Sequence, residues 1–214
     1  MHKSDSLMPL SVRSVFLDRD GTVIEDKSYL GDPAGVQLLP GAGEGLALLA
    51  GRGLGLFIVT NQSGIGRGYF SLDDYLACRA ELHRILAAAG TPLTDEAFCP
   101  HDPDAGCPCR KPALGLWHEL RDRHNLAPQE CMIIGDKAGD LEFGYAAGFA
   151  LSALVLTGEG AKTAARLGVD LPPAGAACLE TVDKAGRPLL LARDLKAVAD
   201  WLLPRLAGSA SSAS

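Results

Sequence analysis

The sequence has no long apolar run. Its most apolar stretch, residues 42–59, is interrupted by Glu44 and Arg52, whereas a membrane-spanning helix needs about 20 consecutive, predominantly apolar residues. The first ten residues include Lys3 and Asp5 and lack the apolar segment of a signal peptide. These absences predict a cytoplasmic protein with no membrane partner.

Positive charge is scarce as well. The 214-residue chain has 20 lysines and arginines against 26 aspartates and glutamates, which gives a net charge of -6. Phosphate backbones are held mainly by lysine and arginine, so the composition argues against a nucleic-acid partner. The sequence also lacks the Gly-x-Gly-x-x-Gly and Gly-x-x-x-x-Gly-Lys-Ser/Thr patterns, which excludes the common dinucleotide- and nucleotide-binding loops.

Apolar runs and helical segments alternate along the chain. The expected strands cover 14–17, 54–59, 131–134, 153–156 and 189–191, and the expected helices cover 42–50, 72–89, 114–124, 141–147 and 194–203. This alternation predicts an α/β fold with a doubly wound, Rossmann-like parallel sheet. Residues 1–207 are expected to form a single domain without a large cap, and the small polar segment 208–214 a disordered tail.

The longest helical segment, 72–89, has recognisable start signals. Ser71 is expected to be its N-cap, with Asp74 as the acid of a capping box. Helical periodicity predicts a buried stripe made of Leu72, Tyr75, Leu76, Leu82, Ile85 and Leu86.

Polar residues follow three of the predicted strands. Asp18, Thr60 and Asp136 each come directly after an apolar run. Ligands of parallel α/β sheets collect at the carboxyl ends of the strands, so all three side chains are expected at one edge. The Thr60 hydroxyl and neighbouring backbone N–H groups suit a phosphate, and the Asp136 carboxylate suits magnesium.

Two carboxylates lie two residues apart after the first strand. Residues 16–22 read Phe-Leu-Asp-Arg-Asp-Gly-Thr, which includes Asp18 and Asp20. One carboxylate can attack phosphorus, and the other can protonate the leaving oxygen and then activate water. Magnesium offsets the repulsion between a carboxylate and a phosphate. Taken alone, two such carboxylates favour a solvated acidic turn, and it is the preceding apolar strand and the Asp-Gly-Thr ending that make the segment specific.

A cluster of soft metal ligands occupies eleven residues. Cys99 and His101 are followed by Cys107 and Cys109, and three cysteines with one histidine complete a tetrahedral zinc site with no open position. Such a closed site is expected to be structural and to order the loop that leads into Arg110 and Lys111. Incidental buried cysteines are the alternative interpretation.

The segment 18–22 resembles the first motif of the haloacid dehalogenase superfamily. The resemblance implies that Asp18 is the nucleophile and Asp20 the acid/base, and that the catalytic set also includes Thr60 and Lys111 as phosphate-binding residues. It further implies a magnesium site formed by Asp18, Asp136 and the main-chain carbonyl of Asp20. Lys137 is included in this predicted metal site through main-chain contacts or a local ion pair.

The zinc cluster followed by Arg-Lys-Pro is similar to one branch of that superfamily, which contains D,D-heptose 1,7-bisphosphate 7-phosphatases and histidinol-phosphate phosphatases. Residues 60–68, Thr-Asn-Gln-Ser-Gly-Ile-Gly-Arg-Gly, favour the heptose enzymes. The resemblance implies a magnesium-dependent phosphatase of a small metabolite, and a monomer is expected. Heptose bisphosphate is the first choice of substrate and histidinol phosphate the second. The substrate contacts it implies are Asp26, Tyr29, Asn61, Gln62, Ser63 and Arg110.

Two other functions are weighed against a metabolite phosphatase. A zinc-stapled binding module without catalysis would be expected to have lost at least one motif residue, and all four of Asp18, Asp20, Lys111 and Asp136 are present. A phosphatase of nucleic-acid ends would be expected to carry an extended basic stretch, which the sequence lacks.

Overall fold

The structure, a computed structural model, describes residues 10–207. Its strands are β1 Ser14–Leu17, β2 Gly55–Asn61, β3 Asp95–Cys99, β4 Cys131–Gly135, β5 Leu151–Val155, β6 Cys178–Val182 and β7 Pro188–Ala192. Its helices are α1 Ala42–Gly51, α2 Ser63–Gly66, α3 Leu72–Ala88, α4 Gly115–His124, α5 Ala138–Ala147, α6 Gly160–Leu167 and α7 Leu195–Leu202. The predicted tail, 208–214, lies outside the described residues.

One seven-stranded sheet runs through the molecule in the order β3-β2-β1-β4-β5-β7-β6. Every neighbouring pair except β6 and β7 is parallel. Leu17, at the end of β1, is in register with Ile58 on one side and Ile134 on the other. Asp18, Thr60 and Asp136 therefore lie at the same edge of the sheet, with Thr60 and Asp136 one residue beyond the level of Asp18, and the predicted α/β sheet is confirmed.

Both faces of the sheet are covered by helices. Because strand side chains alternate between faces, Val15 and Leu17 pack in one apolar cluster with α1, α3 and α7, while Phe16 packs in another with α4 and α5. A third cluster joins α6 to β5 and β7. β1 is buried along its whole length, which explains why it reads as a continuous apolar run.

One strand pair, at the edge of the sheet, is antiparallel. β6 was not expected, and it pairs antiparallel with β7 at the edge of the sheet. Only residues 183–187 connect the two strands, which is too short for a parallel crossover. The Asp183 carboxylate closes this hairpin by accepting hydrogen bonds from the backbone N–H groups of Ala185 and Arg187 at 2.8 and 3.0 Å.

The start of α3 agrees with its signals, but its buried face is narrower than predicted. Ser71 and Asp74 form the capping box. Leu72 and Leu76 are 45% and 38% exposed, so their assignment to the buried stripe was wrong. Each helix residue is rotated by about 100° from the last, which leaves these leucines on the flank of a stripe centred on Tyr75, Cys78, Leu82 and Leu86.

The segments between the motifs are short. Between β1 and β2 the chain forms loops, a 3-10 turn at Pro33–Gly35 and α1. Between β2 and Lys111 it forms α2, α3, β3 and a second 3-10 turn. Within the described range, therefore, no cap domain is inserted at either place. Residues 10–207 also include no helix that is long and apolar enough to cross a membrane.

Candidate active site

A cavity of about 310 Å³ opens at the carboxyl ends of β1 and β2. It brings together every residue predicted to be catalytic or to contact substrate, namely Asp18, Asp20, Asp26, Tyr29, Thr60, Asn61, Gln62, Ser63, Arg110 and Lys111. Most of the cavity's exposed surface is polar, and its lining includes both acidic and basic side chains. Such a lining is expected for a site that binds a phosphorylated ligand.

Asp18 and Lys111 form an ion pair at the floor of the cavity. The Lys111 Nζ atom lies 2.8 Å from Asp18 Oδ1 and 2.6 Å from Asp140 Oδ1, and it also donates to the Val59 carbonyl at 2.6 Å. Burial alone would raise the pKa of Asp18, but the Lys111 and Lys137 ammonium groups and the hydrogen bonds to Asp18 together outweigh it and keep that pKa below its usual value. Asp18 is thus held as a carboxylate, which is the nucleophilic form.

The Lys111 main chain is fixed by the end of β2. The Asn61 amide donates to the Lys111 carbonyl at 3.1 Å and accepts from the Lys111 N–H at 3.0 Å. Although Asn61 lines the cavity, these contacts use its amide to hold protein. Its predicted substrate contact stays a prediction.

Asp20 is held by a residue that the sequence reasoning did not single out. Arg19 donates from Nε to Asp20 Oδ2 at 3.0 Å and from Nη2 to Asp20 Oδ1 at 3.1 Å. The Arg19 side chain is 1% exposed. The alternation of side chains at the end of β1 gave a signal, because it turns the residue between Asp18 and Asp20 to the opposite side, where a charged group needs a partner.

Gln62 connects the Asp20 side of the site to Thr60. Its Oε1 accepts from Arg19 Nη2 at 3.1 Å, and its Nε2 donates to Asp20 Oδ2 and Thr60 Oγ1, both at 2.8 Å. The amide orientation is assigned by these partners, since only a donor suits Asp20 and only an acceptor suits Arg19. Thr60 accepts this bond, so its own hydroxyl hydrogen is available to a phosphoryl oxygen.

Asp136 is a buried carboxylate with an unused ligand atom. It is 0% exposed, and its Oδ1 has no hydrogen-bond partner. Burial, together with the charge of Asp18, raises the pKa of Asp136 to about 8. Carboxylate oxygens of Asp18, Asp136 and Asp140 lie within 4.8 Å of one another. Such a group of oxygens fits a magnesium ion, which supplies the missing positive charge.

Two glycines make room for Asp136. Gly21 and Gly158 have φ angles of 87° and 53°, a region that other residues rarely adopt. A Cβ atom at Gly21 would lie 2.3 Å from Asp136 Oδ2, and one at Gly158 would lie 2.2 Å from the same atom. The position of the Asp136 carboxylate therefore depends on the absence of a side chain at both glycines.

Lys137 lies beside the carboxylate group and contributes charge. Its Nζ atom is 3.5 Å from the Asp20 carbonyl, 3.3 Å from Asp26 Oδ2 and 3.9 Å from Asp136 Oδ1. Burial alone would lower the pKa of Lys137, but the charge of Asp18 and its neighbours raises it. A protonated ammonium has no lone pair for a metal, so its side chain forms the local ion pair that the sequence suggested.

The outer rim of the cavity is aromatic. Tyr29 and Tyr69 are 46% and 61% exposed, and their ring centroids are 4.6 Å apart. Arg67 donates to the Tyr29 hydroxyl at 2.9 Å and to Asp102 Oδ2 at 3.0 Å. Asp102 directly follows His101, so Arg67 links the Tyr29 rim to the cysteine-rich loop.

Arg110 lines the cavity beside Lys111. Its Nη1 atom is buried and has no hydrogen-bond partner. A guanidinium group is well matched to two oxygens of a phosphate or carboxylate. Arg110 is thus available to a second anionic group.

The four predicted zinc ligands converge. The Cys107 Sγ atom is 3.5 Å from Cys99 Sγ and 3.5 Å from Cys109 Sγ, and His101 Nδ1 is 3.2 Å from Cys109 Sγ. Ligand atoms of a tetrahedral zinc site are separated by about 3.3–3.8 Å. Burial alone would raise the pKa of Cys107, but hydrogen bonds from Cys99 and from the Arg110 N–H lower it to about 6. The thiolate form binds metal, so the cluster fits zinc.

The chain is similar in sequence to proteins of known family. Residues 108–185 match the Hydrolase-like family model, described as HAD-hydrolase-like. The D-glycero-beta-D-manno-heptose-1,7-bisphosphate 7-phosphatase of Neisseria meningitidis serogroup A is 35% identical over 162 residues, which are 75% of this chain and 86% of that protein. The protein of the same name from Bordetella bronchiseptica is 34% identical over 193 residues, which are 90% of this chain and 98% of that protein.

A solved structure is similar as well. The D,D-heptose 1,7-bisphosphate phosphatase from B. bronchiseptica, complexed with magnesium and phosphate, superimposes with a TM-score of 0.77 at 32% sequence identity. The match covers 90% of this chain and 99% of that chain. The similarity thus extends over most of both chains.

Proposed function

Because the chain belongs to the D-glycero-beta-D-manno-heptose-1,7-bisphosphate 7-phosphatase family of HAD-like hydrolases, we propose that it removes the 7-phosphate of D-glycero-beta-D-manno-heptose 1,7-bisphosphate and leaves the 1-phosphate in place. The observation that carries the proposal is the ion pair of Asp18 with Lys111 at the floor of the cavity. It supplies a nucleophile and a phosphate-binding cation at one point. The enzyme is a phosphoric monoester hydrolase.

In the first step, an Asp18 oxygen bonds to phosphorus while the bond from phosphorus to the sugar oxygen breaks. Asp20 gives its proton to that oxygen, and the sugar leaves as an alcohol. Lys111 and the Thr60 hydroxyl stabilise the negative charge on the phosphoryl oxygens during transfer. The product is an aspartyl phosphate on Asp18.

In the second step, water attacks the aspartyl phosphate. Asp20, now a carboxylate, accepts a proton from the attacking water, and the bond between phosphorus and the Asp18 oxygen breaks. Inorganic phosphate leaves and Asp18 is again a carboxylate. Asp20 therefore ends each cycle with the proton that it needs for the next one.

Two metals complete the proposal. Magnesium would be held by Asp18, Asp136 and the Asp20 carbonyl, and it neutralises charge where the phosphate meets the carboxylates. Zinc would be held by Cys99, His101, Cys107 and Cys109, away from the chemistry. The unpartnered Oδ1 of Asp136 supports the first assignment, and the four converging ligand atoms support the second.

Substrate recognition is assigned to the rim of the cavity. Arg110, with its unpartnered Nη1, would bind the phosphate that is retained. Asp26, Tyr29 and Ser63 line the same cavity and would contact the sugar. A single domain over 1–207, a monomeric state and a cytoplasmic location stay predictions, as does the absence of nucleic-acid and membrane partners.

The test is a phosphate-release assay with magnesium on two substrates, the heptose 1,7-bisphosphate and histidinol phosphate. One phosphate per heptose bisphosphate, with the 1-phosphate retained, is expected, and turnover of histidinol phosphate is expected to be slower. Asp18→Asn should lose at least about a thousandfold in kcat. Asp122→Asn, at an exposed position on α4, is the matched control and should behave like the wild type. Preferred hydrolysis of histidinol phosphate would overturn the substrate assignment, and an active Asp18→Asn would overturn the mechanism.

A further inference from the structure

Arg19 is among the largest fully buried side chains of the protein, at 1% exposure. An arginine keeps its charge in any protein environment, and taking that charge out of water is costly unless its partners match it closely. Buried ion pairs are often no more stabilising than apolar residues of similar volume, so stability alone does not account for an arginine at this place. The contacts of its guanidinium group therefore suggest what it does.

The strongest of these contacts are with Asp20. Arg19 donates a hydrogen bond to each Asp20 carboxylate oxygen, at 3.0 Å to Oδ2 and 3.1 Å to Oδ1. A two-point contact of this kind fixes the plane of a carboxylate as well as its position. Gln62 adds a third bond, to Oδ2 at 2.8 Å. Oδ2 then accepts two hydrogen bonds and Oδ1 accepts one, so Oδ1 is the oxygen with a lone pair left for a proton.

Arg19 also packs against an aromatic ring. Its guanidinium carbon lies 5.3 Å from the ring centroid of Tyr75, which is within the range of a cation–π contact. The Tyr75 hydroxyl donates to the buried Glu96 carboxylate at 2.5 Å, and His83 lies 2.9 Å from the other Glu96 oxygen. Burial alone would lower the pKa of Arg19, but the Asp20 carboxylate outweighs it and raises that pKa. The support for Asp20 thus extends to α3 and β3.

We propose that Arg19 is a positioning residue for the acid/base, which holds the Asp20 carboxylate so that Oδ1 faces the oxygen of the departing alcohol. This inference rests on the proposed function. Arg19 does not exchange a proton or touch phosphorus. It acts through Asp20, whose proton moves to the leaving oxygen as the phosphorus–oxygen bond breaks and its electron pair goes to that oxygen.

The test compares two leaving groups. The alcohol of the heptose bisphosphate needs a proton to leave, whereas 4-nitrophenolate leaves from 4-nitrophenyl phosphate as a stable anion. The ratio kcat/KM covers only the steps up to departure of this group, so the later attack of water does not enter it. A defect in proton donation therefore lowers kcat/KM for the heptose substrate and spares it for 4-nitrophenyl phosphate. A general loss of structure lowers both.

Arg19→Met is expected to lower kcat/KM for heptose bisphosphate by about 100-fold and for 4-nitrophenyl phosphate by less than about threefold. Asp20→Asn should show the same selectivity with a larger loss. Arg19→Lys keeps a buried cation but not the two-point contact. Its kcat/KM for heptose bisphosphate should therefore fall almost as far as that of Arg19→Met. It also serves if Arg19→Met does not fold.

The matched control is Arg79→Met. Arg79 donates at 3.2 Å to the Glu96 carboxylate that also binds Tyr75, but it does not contact Asp20. The variant should therefore have the wild-type kcat/KM on both substrates. The inference would be overturned if Arg19→Met lost the same factor in kcat/KM on both substrates. It would also be overturned if Arg19→Lys kept the wild-type kcat/KM for heptose bisphosphate. If the wild-type protein hydrolyses neither ester, the proposed function fails instead, so the two failures are distinct.

Discussion

Asn61 holds both main-chain groups of Lys111, because its amide donates to the carbonyl at 3.1 Å and accepts from the N–H at 3.0 Å. Lys111 follows Cys109, the last of the four converging metal ligands, by two residues. The ammonium that contacts Asp18 is thus anchored on one side by the end of β2 and on the other by the cysteine-rich loop.

Asn61→Ala is therefore expected to displace Lys111. Two partly buried backbone groups lose their partners, which costs about 1–3 kcal/mol of unfolding free energy. We expect kcat/KM to fall about tenfold or more. Asn61→Asp keeps the acceptor for the Lys111 N–H and should lose less stability. Urea unfolding and steady-state kinetics measure both effects, and a wild-type kcat/KM in Asn61→Ala would show that the clamp is dispensable.

Zinc removal should loosen the same loop. Elemental analysis of the purified protein is expected to find one zinc per chain, and Cys107→Ser should abolish it. The loop then loses a metal whose binding can contribute on the order of 10 kcal/mol to folding, so the melting temperature should fall. Cys178→Ser, outside the cluster, is the control and should retain zinc. A wild-type protein without zinc, or a Cys107→Ser variant with full zinc content, would contradict the assignment.

Gly21→Ala should impair magnesium binding. The added Cβ would lie 2.3 Å from Asp136 Oδ2, so the carboxylate must move. The magnesium concentration for half-maximal activity is expected to rise about tenfold or more. Gly53 has a similar φ of 76° but no neighbour within 4 Å of its Cβ position. Gly53→Ala thus carries the same backbone strain of about 1–2 kcal/mol without the contact, and its magnesium requirement should stay normal.

Asp95 should make stability depend on pH in the acid range. Burial alone would raise its pKa, but hydrogen bonds from His124 and Arg123 outweigh this and lower the pKa to about 2. Because the folded value lies below the unfolded value of 3.8, the carboxylate stabilises the fold above that value. This contribution is lost as the pH falls through about 2.

Comparison with Asp95→Asn isolates the effect of this carboxylate. The wild type is expected to be more stable by at most about 2 kcal/mol at pH 6, and the difference should shrink as the pH falls from about 4 towards 2. Denaturant unfolding at a series of pH values measures it. A difference that does not change with pH would show that the ionised form of Asp95 contributes nothing.

Several features of the protein were determined by the sequence alone. β1 and β4 are covered on both faces, so they appear as uninterrupted apolar runs, and the polar residue after each one locates the active edge. Cysteine and histidine at two-residue spacing bring their own ligand atoms together, so the sequence of one loop was enough to predict the group of four candidate zinc ligands. Ser71 and Asp74 are equally local, because a capping box needs only residues three apart.

Other features were decided only by the tertiary structure, because they depend on groups far apart in the chain. β6 is half exposed at the sheet edge, so its apolar pattern is weak, and its pairing depends on the hairpin closed by Asp183. The orientation of the Gln62 amide depends on Arg19 and Asp20 together. Arg19 lies between two residues that the sequence identified, yet its guanidinium is held by Gln62 and by Tyr75 on α3, which only the folded chain brings beside it.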